Sequence, residues 1–192
     1  MAADSPLRPG TIAVTAGRPD KVPDAPLNTP ITMAATYVAG GEVEYGRYGN
    51  PTWTALEDTL GALEGGRCLT FASGLAAVAT VLDLVGKEGK VLAPRHGYTG
   101  TIMQLADLEA RGRLTAEMVD VTDTDAVVAA CDGAALVWLE SPTNPALEVA
   151  DIATITKAAH EATTASVSVM STSSTRSRPR DSRSASCMIV PV

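Results

Sequence analysis

Between residues 67 and 140, short apolar segments alternate with helical ones, and this alternation constrains the fold more than any other feature of the sequence. Strands are predicted over RCLTF (67–71), KVLAP (90–94), EMVDV (117–121) and AALVWLE (134–140). Helices are predicted over 74–86, 99–112 and 123–131 between the strands, and over 151–162 after the last strand. Short apolar strands that alternate with helices form a mainly parallel sheet covered on both faces. The predicted fold class is therefore α/β.

The segments around this pattern divide the chain into three predicted regions. Residues 1–49 are rich in Pro and Gly and show no sustained period, which is typical of an arm that serves a partner or a site. Residues 50–162 form the α/β domain, which begins with a helix capped by Asn50 and stopped at Gly65. Residues 163–192 are rich in Ser and Arg and are predicted to be a disordered or non-native tail.

Two interpretations of this tail stay open. It is either a natural disordered basic tail or the product of a change of reading frame near residue 163. The second is favoured, because the last predicted helix ends where an alternating fold should deliver a further strand.

The composition excludes several classes of function. The net charge of −7 argues against general binding of nucleic acid or of an acidic membrane. Three widely spaced cysteines (Cys68, Cys131 and Cys187) form no CxxC pair and, with two histidines, give no metal-binding pattern. The N-terminus lacks the apolar stretch of a secretory signal, and no run approaches ~18 apolar residues. We therefore expect a cytoplasmic protein that binds neither metal, nucleic acid nor membrane.

Two loops follow predicted strands at the edge where open parallel sheets bind ligands. In FASGLAA (71–77), the turn at Ser73-Gly74 leads into a helix, and its free N–H groups could cradle a phosphate. A plain tight connection is at least as common. In APRHGYTGT (93–101), Tyr98 stands between Gly97 and Gly100 and could lie flat against a planar ring, or could be an ordinary surface tyrosine.

Two further polar stretches carry candidate ligand contacts. In LESPTNPAL (139–147), the residues Glu140, Thr143 and Asn144 are either turn formers or ligand contacts. In YGRYGNPTW (45–53), Tyr45 and Arg47 precede a helix in a stretch that is too short and polar to be core.

Taken together, the order of YGRYGNPT, SGLAA, YTGT and ESPTNP resembles the Cys/Met-metabolism family of pyridoxal-phosphate enzymes, over about residues 10–162. That family includes cystathionine γ-synthase, the cystathionine lyases, methionine γ-lyase and O-acetylhomoserine sulfhydrylase. The resemblance implies a truncated large domain of a fold-type I pyridoxal-phosphate-dependent transferase behind an irregular arm. It also implies trans-sulfuration chemistry on sulfur amino acids or homoserine esters. We expect γ-replacement of the cystathionine γ-synthase kind, with cystathionine γ-lyase or O-acetylhomoserine sulfhydrylase as alternatives.

The same resemblance implies eight residues that bind pyridoxal 5'-phosphate: Tyr45, Arg47, Ser73, Gly74, Leu75, Tyr98, Glu140 and Asn144. The Tyr and Arg of the arm would reach the cofactor phosphate of a neighbouring subunit, so a homo-oligomer (dimer or tetramer) is expected. The Ser-Gly-Leu loop would hold the phosphate of its own subunit, and the next tyrosine would stack on the pyridine. The Glu and Asn of the last loop would lie near the ring.

The chain departs from the family pattern in several places. Gly46 stands where Ser or Thr is usual, and Leu75 where Met is common. Thr99-Gly100 replaces the usual Gly-Gly, and the absence of a Cys at position 100 argues against a methionine γ-lyase.

A more serious departure concerns the lysine that forms the Schiff base and the Asp that pairs with the ring nitrogen. None of the four lysines (Lys21, Lys87, Lys90 and Lys157) fits the first role, and residues 163–175 show no strand that ends in Asp. No catalytic residue is therefore predicted, and little or no catalysis is expected. The alternative from another class is a non-catalytic remnant that binds the cofactor phosphate, or a full-length partner through its arm.

Overall fold

The computed structural model describes residues 7–162 and the backbone of residues 166–170. The chain divides into two compact units, Met1–Thr70 and Phe71–Val192. The first helix of the predicted α/β domain thus belongs to the same unit as the arm, whereas the sequence suggested a boundary at residue 49.

The described residues form six helices and four strands. The helices are α1 (Pro9–Thr15), α2 (Pro51–Glu64), α3 (Gly74–Asp83), α4 (Thr99–Ala110), α5 (Thr124–Ala130) and α6 (Ile152–Glu161). The strands are β1 (Gly89–Pro94), β2 (Leu114–Val119), β3 (Ala134–Glu140) and β4 (Ser166–Met170). Helix α1 lies in the segment that the sequence predicted to be irregular throughout.

The first unit contains the arm and α2. Helix α2 begins as predicted: the Asn50 side chain accepts a hydrogen bond from the N–H of Thr52 at 2.9 Å, and Pro51 takes the first helical position. It ends at Gly65, whose φ of 74° lies in the left-handed region that favours glycine. Asn50 also donates from Nδ2 to the carbonyl of Thr32 at 2.9 Å, so the same side chain fixes the arm to the helix.

The second unit is built on a four-stranded sheet in the order β2-β1-β3-β4, with every pair parallel. The prediction of an α/β fold with a mainly parallel sheet is therefore confirmed. Because β1 and β3 are neighbours, with Leu92 opposite Val137, their carboxyl ends lie side by side.

Helices cover both faces of this sheet, and alternate residues of each central strand supply the two cores. On one face, Val91 packs with the apolar residues of α3 and α4. On the other face, its neighbour Leu92 packs with α5 and α6. Fully buried side chains such as Leu82 and Ile155 each contribute about 1.5–3 kcal/mol through the area they remove from water.

Two strand predictions need correction. The segment 67–71 forms no strand in the described part of the chain, although Cys68 takes part in a single β-bridge. A strand needs a continuous series of backbone hydrogen bonds to its neighbour, and one bridge does not supply it. Conversely, regular structure does not end at residue 162, since β4 pairs in parallel with β3 inside the predicted tail. The rest of that predicted tail lies outside the described residues.

Candidate functional site

The loops after β1 and β3 meet at the carboxyl edge of the sheet. The backbone N–H of Tyr98, in the loop after β1, donates to Oε2 of Glu140, the last residue of β3, at 2.8 Å. The backbone N–H of Asn144 also interacts with the carboxylate of Glu140. The structure therefore brings together three residues that the sequence singled out from two separate motifs.

Glu140 is a buried carboxyl group, with only 5% of its surface exposed. Burial raises the pKa of this carboxyl above its ordinary value, because a charged group loses hydration there. The N–H groups of Tyr98 and Asn144 act in the opposite direction, lowering the pKa by stabilising the ionised form. The side chain thus faces the protein backbone rather than open solvent.

The ring of Tyr98 lies over the first turn of α4. A Cβ at Gly100 would stand 2.5 Å from Cε1 of this ring, so the glycine is what allows the close approach. Tyr98 remains 43% exposed, which leaves part of the aromatic surface free for a ligand. The sequence places Gly100 two residues after Tyr98, and the structure gives a steric reason, because any side chain at position 100 would collide with the ring.

A groove of about 540 Å³ runs between the N-terminal parts of α3 and α4. The residues that line it are Ser73, Leu75, Ala76, Ala79, Gly100, Met103 and Gln104. Ser73 caps α3, its Oγ accepting a hydrogen bond from the N–H of Ala76 at 3.2 Å. The first N–H groups of a helix have no acceptor within the helix, so those of Gly74 and Leu75 can serve an anion here.

Most of the loop 141–150 is held by its own hydrogen bonds. Thr143 is fully buried, and its Oγ1 donates to Oε2 of Glu148 at 3.1 Å while accepting from the N–H of Glu148 at 3.0 Å. Ser141 accepts through Oγ from the N–H of Ala150 at 3.1 Å. Thr143 is thus a turn former, whereas Asn144 is exposed at the tip of the loop.

His96 contacts this loop rather than a groove. Its Nδ1 lies 3.0 Å from Oε1 of Glu148, and half of the histidine side chain is exposed. Together with the bonds between Glu148 and Thr143, this contact joins the loops after β1 and β3 a second time. No local pattern in the sequence indicates this role of Glu148, because His96 is distant in sequence and the bonds to Thr143 are those of an ordinary turn.

In the first unit, the residues of YGRYGNPT pack on one another. The guanidinium carbon of Arg47 lies 4.7 Å from the centre of the Tyr45 ring, a cation–π arrangement. Tyr45 makes an antiparallel bridge with Thr36, and its ring centre lies 6.1 Å from that of Tyr48. Arg47 is exposed and forms no ion pair with any carboxylate of residues 7–162. Its positive charge is available to a ligand.

The lysines of the second unit all lie away from the carboxyl edge. Lys90 is the second residue of β1, and its Nζ donates to the carbonyls of Ala130 and Asp132, at 2.8 Å each. The end of β1 is four residues further on, a distance of about 13 Å. Lys87 precedes this strand, and Lys157 is 77% exposed beside Glu161, at 4.0 Å.

Two kinds of site are absent from the described part of the chain. Residues 7–162 contain no cluster of three or more His, Cys, Asp or Glu side chains that could hold a metal ion. Within the same range, no helix combines the length and the apolar character needed to cross a membrane.

Comparison with known proteins identifies the family of the chain. Residues 10–177 match the family model of the Cys/Met metabolism PLP-dependent enzymes. The chain belongs to this family. The matched range ends at residue 177 and includes β4. Both interpretations of the tail stay open.

Three relatives show the range of members to which the chain is similar. Cystathionine gamma-synthase of Mycobacterium tuberculosis is 40% identical over 157 residues, 77% of this chain and 40% of that protein. Cystathionine beta-lyase MetC of Bacillus subtilis is 34% identical over 142 residues, 70% of this chain and 36% of that protein. The crystal structure of the cystathionine gamma lyase CalE6 from Micromonospora echinospora gives a TM-score of 0.73 at 36% identity, covering 85% of this chain and 45% of that one. The chain therefore spans less than half the length of each.

The residues of the second unit fit the cofactor of this PLP-dependent family. The groove offers helix N–H groups at Gly74 and Leu75 for a phosphate, and Tyr98 presents an exposed aromatic face close to Gly100, which lines the same groove. Asn144 is exposed on the adjoining loop. Which of these residues touch the cofactor stays a prediction.

Proposed function

We propose that this chain supplies the phosphate loop, the stacking aromatic ring and the arm of the pyridoxal-phosphate site of a trans-sulfuration enzyme. The observation that supports this most directly is the hydrogen bond from Tyr98 to Glu140. It joins two of the family's motifs, YTGT and ESPTNP, at the carboxyl edge of a parallel sheet. The cofactor supplies an electron sink when bound, and the chain supplies binding and orientation.

Within one subunit, the phosphate would be held by the N-terminus of α3. The N–H groups of Gly74 and Leu75 point out of the helix start, and the helix dipole favours a negative charge there. Ser73 keeps this turn in shape through its bond to Ala76. The ring would rest on Tyr98, with Asn144 placed to donate or accept at the ring's edge.

The arm would complete the site of a second subunit. Arg47 offers a planar pair of N–H donors that suits a phosphate, and the Tyr45 ring beneath it fixes the guanidinium. We therefore propose a homo-oligomer, in which Tyr45 and Arg47 of one copy reach the phosphate of another.

Cystathionine γ-synthase-like replacement at the γ-carbon of a homoserine ester is the reaction that we propose for the full-length protein. Cystathionine γ-lyase and O-acetylhomoserine sulfhydrylase chemistry are the alternatives, because relatives of similar identity carry different reaction names. The 192-residue polypeptide itself should turn over little substrate, since none of its lysines in the second unit lies near the candidate site.

Equilibrium dialysis of the full chain tests the binding proposal. We expect pyridoxal 5'-phosphate to bind at least tenfold more tightly than pyridoxal, which lacks the phosphate. Arg47→Ala should weaken binding of the phosphorylated form by about tenfold, or ~1.4 kcal/mol. Arg18→Ala, which removes another exposed arginine of the arm, is the matched control and should change nothing. Equal affinity for the two ligands would overturn the proposal.

Borohydride reduction followed by peptide mass spectrometry tests the inactivity. Reduction should fix no cofactor to a defined lysine, and cystathionine formation from an O-acylhomoserine and cysteine should stay at background. A single modified lysine together with turnover would contradict this part of the proposal.

One observation favours a non-catalytic role as the second candidate. The arm exposes large apolar side chains, with Ile31 at 81%, Met33 at 95% and Val38 at 93% exposure. Such side chains suit burial against a full-length partner. Co-purification with the full-length relative in the absence of cofactor would favour it. Location in the cytoplasm stays a prediction from composition.

A further inference from the structure

Glu140 stands apart from the other predicted cofactor-binding residues because it is buried. A carboxylate that leaves water must find hydrogen-bond donors, or its burial costs several kcal/mol. With 5% of its surface exposed, Glu140 finds donors in the backbone of two loops and not in solvent.

The two donors belong to the residues predicted to meet the ring. The N–H of Tyr98 lies 2.8 Å from Oε2, and the N–H of Asn144 supplies the second interaction. A hydrogen bond to a backbone N–H holds the backbone from which the side chain of that residue extends. The carboxylate of Glu140 therefore fixes the backbone positions of both Tyr98 and Asn144. Residues 98 and 140 are 42 positions apart, and no local turn could fix this distance.

The loop after β1 is shaped to admit the carboxylate. Gly97 is buried, and a Cβ at this position would lie 3.2 Å from Oε2 of Glu140 and 3.3 Å from Cγ of Pro94. Any larger residue would press on the carboxylate or on the proline. Gly100 then allows the Tyr98 ring to lie over α4. Gly97 and Gly100 thus flank Tyr98, whose backbone is held by the carboxylate of Glu140.

We propose that Glu140 is a positioning residue, which orients Tyr98 and Asn144 toward the cofactor ring through their backbone and does not itself contact the cofactor. This inference deepens the proposed function and, for the ring, rests on it. It replaces the expectation that Glu140 lies among the cofactor contacts. Glu140→Gln is nearly isosteric, yet its amide offers one acceptor oxygen and turns N–H donors toward one of the two backbone N–H groups.

Amide NMR of the full chain without any ligand tests the positioning itself. As pH rises, the amide resonances of Tyr98 and Asn144 should move together with one shared apparent pKa, because both N–H groups face the same ionising carboxyl. Other charged groups on the neighbouring loops (Arg95, His96, Asp120 and Glu148) could also shift these resonances. Glu148→Gln is therefore the matched control and should leave the shared titration in place, whereas Glu140→Gln should abolish it. Separate titrations, or none, in the unsubstituted chain would overturn the proposal.

Comparing the binding of two ligands separates positioning of the ring contacts from a general effect of Glu140 on stability. Glu140→Gln should weaken binding of pyridoxal 5'-phosphate by about tenfold while leaving binding of inorganic phosphate unchanged, because the phosphate contacts proposed for the start of α3 and for the arm do not involve the ring. Equal weakening of both ligands would overturn the positioning role.

The two proposals fail separately. A shared amide titration without any binding of pyridoxal 5'-phosphate would retain the positioning of the two loops and remove the proposed function. Binding of the cofactor without a shared titration would retain the function and remove the role of Glu140. If Glu140→Gln does not fold, Gly97→Ala presses on the carboxylate without removing it and should shift the Tyr98 amide titration.

Discussion

The ring of Tyr98 lies so close over Gly100 that a Cβ at position 100 would stand 2.5 Å from Cε1 of the ring. The absence of a side chain at Gly100 therefore allows the ring of Tyr98 to occupy this position. This contact lies at the mouth of the groove between α3 and α4, where Gly100 is itself a lining residue.

Gly100→Ala should displace the Tyr98 ring and weaken the binding of pyridoxal 5'-phosphate by about tenfold, because a stacked ring contributes of the order of 1 kcal/mol. Dialysis against the cofactor measures the loss. Gly86→Ala is the control, since position 86 has open space around it and lies in the same unit. Equal affinities of the two variants would show that the ring does not depend on Gly100.

Glu140 should make the stability of the second unit fall as pH rises. Its pKa in the folded protein is raised above the ordinary value of about 4.5, so the folded state binds the proton more tightly than the unfolded state. The stabilisation is fully present below the unfolded pKa and is lost as pH rises through the folded pKa. Glu140→Gln has no such proton, so the unfolding free energy of the unsubstituted chain relative to the variant should decrease from about pH 4.5 upward.

Urea unfolding at a series of pH values, followed by Trp138 fluorescence in a Trp53→Phe background, measures this difference. The pKa of Asp120 and that of Asp151 are lowered in the fold by hydrogen bonds from Thr122 and Thr154, respectively. Both effects are present in both proteins and cancel. Parallel curves for the two proteins would contradict the prediction.

Asn50 should stabilise the first unit in two separable ways. Asn50→Ala removes both the cap of α2 and the bond to the Thr32 carbonyl, and should lower the free energy of local opening by about 1–2 kcal/mol. Asn50→Asp keeps an acceptor for the Thr52 N–H but loses the donor, so it should lose only part of this. Hydrogen exchange at the amides of Thr32 and Thr52 separates the two effects. Identical losses in both variants would mean that the cap contributes nothing.

Gly46→Ser restores the residue that is usual in the family, yet it should destabilise this arm. A Cβ at position 46 would lie 2.7 Å from the carbonyl oxygen of Ala34, and backbone cannot move aside as a side chain can. Overpacking of this kind costs about 1–3 kcal/mol. Exchange of the Tyr37 amide, bonded to the Glu44 carbonyl at 3.2 Å, should quicken, whereas Gly41→Ser in open space should leave it unchanged. Unaltered exchange in Gly46→Ser would show that the arm adapts freely.

Local signals in the sequence predicted much of this fold. The N-cap at Asn50, the stop at Gly65 and the apolar run of β3 were each read from neighbouring residues, and the structure has them. Strand pairing depends on distant partners, and there the predictions were less accurate. The apolar segment 67–71 forms no strand among the described residues, although Cys68 takes part in a β-bridge, while the short Ser- and Val-containing β4 pairs with β3.

The candidate site divides in the same way. The resemblance to the family predicts from the motifs that Tyr98, Glu140 and Asn144 lie at one cofactor site. The motifs could not show that Glu140 is buried and bonded to the backbone of the other two. That fact depends on the approach of two loops after neighbouring strands, with glycine at position 97 to make room.

Amide NMR of the unsubstituted chain titrated with pyridoxal 5'-phosphate tests whether the cofactor binds at the carboxyl edge of the sheet. Saturable shifts are expected at the amides of Gly74, Leu75 and Tyr98, with pyridoxal sparing the first two. Unchanged amides at these three residues, or shifts only at residues remote from the carboxyl edge of the sheet, would contradict the proposed cofactor site.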